Sequence, residues 1–184
     1  ISITAGSYHP NTCAGGSSST FTFNFGQQGF TYTPPTGYKA LNSANLPDPT
    51  ILLPNKHFNT LLYTGNDSAD RDITGVGFQP DWVWIKNRSQ SDGHQLVDAV
   101  RGANRTLFSN STTTESIDNS NGHVNYFTSG GFNVDAGAGG DVNENNENYV
   151  AWCWKAGGAA VTNNDGTIAT QVSANQQAGF SILT

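Results

Sequence analysis

The sequence has few charged residues, and it has no methionine and no long apolar run. Only 12% of its 184 residues are charged, and the formal net charge is −6 with a pI of about 4.9. A nucleic-acid-binding surface needs a clustered excess of Lys and Arg, so the composition excludes that class of protein. A transmembrane helix needs about 20 consecutive apolar residues. We therefore expect no nucleic-acid partner and no membrane insertion.

Both ends of the sequence suggest a piece of a longer protein. Position 1 is Ile1, and no signal peptide is visible. The last six residues, GFSILT, have the pattern of a strand that is just beginning. We therefore expect a fragment of a larger multidomain chain, whose full length the sequence does not give.

Cysteine is almost absent as well. Cys13 stands in a polar loop, and Cys153 stands inside an apolar segment. Sequence spacing does not set the distance between two thiols, and a disulfide needs Cα atoms within about 7 Å. The contexts favour two unpaired thiols, with a Cys13–Cys153 disulfide as the alternative.

Alternation with a period of two recurs along the chain, whereas helical periodicity is nearly missing. Turn signals such as Pro34-Pro35 and Asn164-Asp165-Gly166 separate the alternating segments. Many short strands at this spacing indicate an all-β fold, an antiparallel β-sandwich or jelly roll. The predicted strands cover 21–25, 29–33, 57–64, 81–87, 94–100, 123–128, 148–155 and 166–172.

All four tryptophans lie in two of these strands, DWVWIKN and NYVAWCWK. Trp82 and Trp84 share one face of the first, and Trp152 and Trp154 share one face of the second. Both strands are apolar on both faces, which is typical of central strands covered on both sides. We therefore interpret the four tryptophans as structural core residues; the alternative is a sugar-binding platform.

Proline marks a boundary within the chain, since three prolines fall between positions 47 and 54. The predicted organisation is one domain end at 1–50, a linker at 51–56, a β-sandwich module at 57–178 and the start of a following related unit at 179–184. The last assignment depends on a short internal similarity between KHFNTLLYTGN and QQAGFSILT, which suggests a repeated unit.

Two parts of the sequence resemble known families. FNFGQQGFTYTPPTGYKALNSANLPDPTI (23–51) resembles the closing segment of SPRY-like β-sandwich domains in bacteriophage structural proteins. A series of blocks then resembles, in order, a repeated concanavalin-like β-sandwich module of large virion proteins in marine tailed phages, including cyanophages. The blocks are FNTLLYTGN, ITGVGFQPDWVWIKNRS, HQLVDAVRGANRTLFSN, TSGGFNVDAG and NYVAWCWKAG.

The resemblance implies a structural component of a phage virion, most simply an exposed tail fibre or appendage protein on the virion surface. It implies other virion proteins as partners and, by analogy with fibres, a homo-oligomer. Recognition of host-surface glycan is an added role that the loops would serve. No catalytic residue and no cofactor are associated with the blocks. Asp98 and Arg101, beside Gly102, are interpreted as a structural ion pair at a glycine turn rather than as ligand-binding residues.

One loop has the oxygen-rich alternation of a calcium site. Asp141, Asn143 and Asn145 stand at alternate positions in GDVNENNENY, and calcium prefers six to eight oxygen ligands. The glycine and the terminal bidentate glutamate of an EF-hand are missing. A solvated Asn-rich loop that enters a strand is therefore the favoured alternative.

Three other classes of function compete with the virion component. A lectin-like adhesion module would bind host polysaccharide by itself, and an architectural or capsid-decoration domain would bind only virion proteins. A capsule-degrading enzyme would need two carboxylates that face one sugar bond. Glu115, Glu144 and Glu147 all fall in loop-like sequence, so we expect no enzymatic activity.

Overall fold

The chain consists of two units, residues 1–48 and 49–184. The computed structural model describes residues 22, 24, 28–41, 43–117, 120–137, 139 and 141–184. Within these residues, no helix is long and apolar enough to cross a membrane.

The described residues of the first unit contain turns and one short 3₁₀ turn, Ser43–Asn45, but no strand. The strand predicted at 29–33 is wrong, since this segment forms a bend. Its Tyr32 side chain is 84% exposed, so alternation here lacks an apolar surface to pack on. The strand predicted at 21–25 lies largely outside the described residues, and the SPRY-like domain end stays a prediction.

The second unit is built from antiparallel strands. It opens with a 3₁₀ turn, Pro54–Lys56. The strands that follow in its described part are β1 Phe58–Thr64, β2 Arg71–Thr74, β3 Trp82–Asn87, β4 Gln95–Asp98, β5 Thr106–Leu107, β6 Val124–Thr128, β7 Gly131–Val134, β8 Asn148–Trp154, β9 Val161–Asn163, β10 Thr170–Asn175 and β11 Phe180–Leu183.

These strands form three antiparallel sheets. The largest has the order β1-β8-β3-β4-β5, so β8 lies between β1 and β3. The second has the order β2-β7-β6, and the third has the order β11-β10-β9. In the large sheet, Val83 is paired with Cys153 and with Val97, which sets the face that each side chain occupies.

The core lies between the five-stranded sheet and the β2-β7-β6 sheet, as in a β-sandwich. The first sheet contributes the alternate residues Val83, Ile85, Val97, Tyr149, Ala151 and Cys153, all at most 1% exposed. The second contributes Ile73, Val124, Phe132 and Val134, which belong to the same cluster. Burial of this apolar surface supplies the main stabilisation of the unit, at roughly 25 cal/mol per Å². The predicted all-β sandwich is confirmed.

The segments at the two predicted boundaries belong to the second unit. Residues 51–56, predicted as a linker, contain the 3₁₀ turn Pro54–Lys56. Residues 179–184, predicted to begin a further unit, include β11, which pairs with β10 from Asn175↔Phe180 to Val172↔Leu183.

Cys153 is a free, fully buried thiol. Burial in the apolar core raises the pKa of this thiol to about 12. Cys13 lies outside the described residues, so its state stays a prediction.

Candidate functional site

The outward side of the five-stranded sheet carries all four tryptophans, and we call it the tryptophan face. In β3 the residues alternate between fully buried Val83 and Ile85 and half-buried Trp82 and Trp84. Register places Trp82 beside Trp154 and Trp84 beside Trp152 on the neighbouring strand β8. The four indoles therefore form a two-by-two patch on the surface opposite the core.

One half of this patch is covered by β11. The Phe180 ring stacks on Trp82 at a centroid distance of 5.7 Å and an interplanar angle of 9°. The same ring lies 6.2 Å from Trp154, and the ring of Phe58, the partner of Trp154 on β1, lies 4.9 Å from the Trp154 ring. Aromatic pairs of this kind each contribute about 0.5–1.5 kcal/mol beyond burial, so this half is a packed contact.

Within the described part of the chain, no ring of β11 stacks on the other half, where the His94 ring lies 5.5 Å from the Trp84 ring. Trp84 and Trp152 meet edge to face, with centroids 5.6 Å apart at 64°. Beside Trp152, the outward residues of β1 are Thr60 and Leu62, both exposed, with Leu62 at 67%. We call this region, made by Thr60, Leu62, Trp84 and Trp152, the open end of the tryptophan face.

The two indole N–H groups of the open end differ in their partners. The Trp84 indole N–H donates to Nδ1 of His94 at 2.8 Å, which fixes the orientation of that ring. The Trp152 indole N–H has no hydrogen-bond partner within the described part of the chain and is not a buried unsatisfied donor. It is therefore a donor that faces solvent beside an apolar ring, an arrangement that suits an amphipathic ligand.

The interpretation of the tryptophans as core residues is corrected in one respect, since their side chains are half-buried and lie outside the sandwich core. Their strands are central in the sheet, as the pattern predicted, but only one of the two sheet faces is in the sandwich core. Among the described residues, the ring contacts from β11 reach only the Trp82–Trp154 end of the second face. The sequence pattern shows that both faces of these strands are apolar, but it does not show which elements pack on each face.

A calcium loop is predicted at Asp141, Asn143 and Asn145, but the side chain of its middle residue makes hydrogen bonds to other residues. Asn143 is 1% exposed, and its Oδ1 accepts hydrogen bonds from the Arg71 guanidinium at 2.8 Å and from the Asn66 backbone N–H. A cation at this oxygen would face a positive guanidinium. Asn143 is therefore a structural residue, and without it the predicted set of three oxygens is incomplete.

Asp141 lies in a partly desolvated position. Burial, together with the negative charge of Asp92, raises the pKa of Asp141 to about 6. No group of three or more His, Cys, Asp or Glu residues within the described ranges could hold a metal ion.

Two carboxylates meet at a single buried amide. Nδ2 of Asn87, a residue with no exposed surface, donates to Oδ2 of Asp92 at 2.6 Å and also to Oε2 of Glu147. A pair of carboxylates near each other is what a glycosidase requires. Here, however, Asn87 occupies the space between them and Glu147 is only 9% exposed, so a sugar has no access. The cluster ties the end of β3 to the loop before β8.

Asp98 and Arg101 form an ion pair at the turn that follows β4. Oδ1 of Asp98 also accepts the backbone N–H groups of Val100 and Arg101, at 2.9 and 2.8 Å. Gly102 follows with a φ of +115°, a conformation that favours glycine. Arg101 also donates to the Leu183 carbonyl oxygen at 3.2 Å, and the pair lines a cavity of about 210 Å³ under β11. These contacts hold the turn and the end of β11.

Fold and surface together define a β-sandwich domain with a half-covered aromatic face. The chain belongs to the family described as Domain of unknown function (DUF7483), whose model matches residues 53–184. No curated protein matches the chain. No solved structure matches it either. The concanavalin-like relationship therefore stays a resemblance at the level of sequence blocks.

Sequence reasoning found the tryptophans but missed the open end. The signal was present in β1, where Thr60 and Leu62 stand on the same face as the tryptophans of β8. A polar residue among the outward positions of an edge strand indicates a solvent-facing side. Only the strand order shows that this side adjoins Trp152.

Proposed function

We propose that this chain is a non-enzymatic part of an exposed phage virion protein, such as a tail fibre or appendage, and that the open end of the tryptophan face binds host-surface glycan. The observation that supports glycan binding is the pair of half-buried indoles, Trp84 and Trp152, on a sheet face that β11 leaves uncovered. The virion setting is supported by the resemblance of the sequence blocks to phage virion modules.

The chemistry of the open end suits a sugar. The C–H face of a pyranose ring is apolar and packs on an aromatic ring, whereas its hydroxyl groups need hydrogen-bond partners. Trp152 offers both a ring and an unpaired N–H donor, and Thr60 on the adjacent strand adds a hydroxyl. The bond from Trp84 to His94 holds the second ring in place before the ligand arrives, which lowers the entropic cost of binding.

The same surface does not suit hydrolysis. The close carboxylate pair, Asp92 and Glu147, is separated by the buried side chain of Asn87. The open end itself is made of two indoles, a hydroxyl and an apolar side chain, none of which is a general acid. The geometry therefore supports binding rather than catalysis.

Titration of the purified chain with polysaccharides extracted from bacterial surfaces tests the glycan proposal. We expect saturable binding that weakens at least 10-fold in Trp152→Ala. Tyr126→Ala is the matched control, because Tyr126 is an aromatic residue 46% exposed on the β2-β7-β6 sheet. Equal affinity in wild type and Trp152→Ala would overturn the assignment of the open end.

The virion setting needs a separate experiment. Antibodies raised against the chain should label intact phage particles that encode it, as seen by immunogold electron microscopy. Labelling only of lysed-cell debris, with none on particles, would overturn the virion proposal without affecting the glycan measurement.

A purely architectural domain is the second candidate, and β11 favours it. Phe180 shows that a protein strand can cover half of the tryptophan face by aromatic stacking. A neighbouring virion protein could cover the other half in the same way. Binding of purified virion proteins to the chain, lost in Trp152→Ala and accompanied by no polysaccharide binding, would select this candidate.

A further inference from the structure

A second cavity lies at the end of β1 and β8, away from the open end. Its volume is about 550 Å³, within the usual range of small-ligand sites. We call it the basic cleft. Its lining includes Lys56, His57, Lys155 and Asn175.

Two positively charged residues line this cleft. Neither the Lys56 ammonium nor the Lys155 ammonium has a hydrogen bond or an ion pair within 4 Å with any described residue, although the charge of Lys155 acts on the buried carboxyl of Asp81 nearby. Most other basic side chains of the second unit are engaged: Arg71 and Lys86 bind carbonyl oxygens, and Arg105 pairs with Glu115. In a chain of net charge −6, two ammonium groups at one cavity form a local positive site.

His57 adds an oriented donor to the same cleft. The Asn175 side-chain amide donates to Nδ1 of His57 at 3.0 Å and to the Lys155 carbonyl oxygen at 3.0 Å. Oδ1 of the Asn175 side chain accepts the Ala178 backbone N–H at 3.1 Å, which fixes the orientation of the side-chain amide. Nδ1 of His57 is therefore an acceptor, so the imidazole proton is on Nε2 and is available to a ligand.

We propose that the basic cleft binds an anionic group carried by the host polysaccharide, as a uronic carboxylate or as a sulfate ester. Both groups present oxygen acceptors that two ammonium groups and an N–H donor can bind. This inference rests on the proposed glycan-binding function and adds the class of glycan, an acidic one.

The cleft and the open end both adjoin β8. Lys155 follows Trp152 by three residues just past the end of that strand, which is about 10 Å at about 3.4 Å per residue. Successive side chains of a strand alternate between its two faces, so this odd separation does not place Lys155 on the tryptophan face. The anion site therefore depends on its own lining residues and not on the open end.

The test compares charged polymers with their neutral counterparts. Wild type is titrated with a polyuronate and its carboxyl-reduced form, and with a sulfated polysaccharide and its desulfated form. We expect at least 10-fold tighter binding of one charged polymer than of its neutral form, weakened by added salt. Whichever pair shows the difference identifies carboxylate or sulfate as the anion.

Two double variants locate the effect. Lys56→Gln/Lys155→Gln should bind the charged polymer no more tightly than the neutral one. Arg88→Gln/Arg105→Gln removes the same total charge from exposed positions of the same unit that do not line the cleft, and it should keep the wild-type preference.

The outcomes separate this inference from the function on which it rests. Equal binding of charged and neutral polymers by wild type overturns the anion site and leaves the open end in place. An equal loss in both double variants also overturns it, because net charge would then explain the effect. Absence of binding to all four polymers overturns the glycan proposal and this inference together.

Discussion

Asn87→Ala should be one of the most damaging single substitutions in the second unit. Asn87 has no exposed surface, and its Nδ2 is the shared donor for Asp92 and Glu147. Its Oδ1 accepts the backbone N–H groups of Ser89 and Gln90 at 2.9 and 3.2 Å. The substitution removes both the donor and the acceptor and leaves two carboxylates close to each other.

The magnitude follows from the exposure of each partner. A hydrogen bond to a charged group contributes about 1.5–3 kcal/mol. The full loss applies to Glu147, which is 9% exposed. The Asp92 carboxylate is more accessible, so water replaces part of its lost hydrogen bond. Ser89 and Gln90 are exposed, so their backbone N–H groups can also bind water. We expect a loss of about 3–4 kcal/mol in the free energy of unfolding at neutral pH.

Denaturant unfolding followed by tryptophan fluorescence measures this loss, since the four indoles lie on one sheet. Asn145→Ala, an exposed position in the same loop, is the control and should change stability by less than about 0.5 kcal/mol. A loss below about 1 kcal/mol for Asn87→Ala would refute the reasoning.

Two further predictions concern titratable groups. The pKa of Asp141 is raised to about 6 in the folded protein. Between about pH 4 and 6, the folded state therefore binds more protons than the unfolded state. The free energy of unfolding should fall as the pH rises through that window. Asp141→Asn should remove this decline and add about 1–2 kcal/mol at pH 7, a value reduced for solvent exposure of the carboxyl; a parallel pH profile in the variant would contradict the assignment. Cys153 is buried, and burial raises the pKa of its thiol to about 12. In the Cys13→Ser variant, a thiol reagent should therefore modify Cys153 only when the protein unfolds, at the rate of unfolding. Rapid modification of the folded variant would contradict the burial of Cys153.

The sheet strands were predictable where one physical signal dominated. β3 and β8 follow from short runs of aromatic and branched residues that are apolar on both faces, and β1 follows from the aromatic and branched residues of FNTLLYT. β7, GFNV, was missed as a strand because all four of its residues are buried and no alternation remains. β2, RDIT, was missed because four residues give too short a pattern.

The candidate sites were less predictable, because they depend on strand order. Lys56 and Lys155 are far apart in sequence, and the pairing of Phe58 with Trp154 brings them to the same cleft. Asn143 has the composition of a calcium ligand, but the side chain that contacts it, Arg71, comes from β2. Local spacing contains no information about either contact.

The place of β8 between β1 and β3 also bears on how the domain folds. The ladder joins Phe58 to Trp154 and Val83 to Cys153, so the first strand of the unit has no partner until nearly a hundred residues more have been synthesised. Contacts between such distant residues require costly loop closure, and folding rates fall as the average sequence separation of contacts grows. On the ribosome, β3 can pair with β4 as soon as both strands have been made, whereas β1 waits for β8, so the large sheet is completed late, when β8 inserts between β1 and β3.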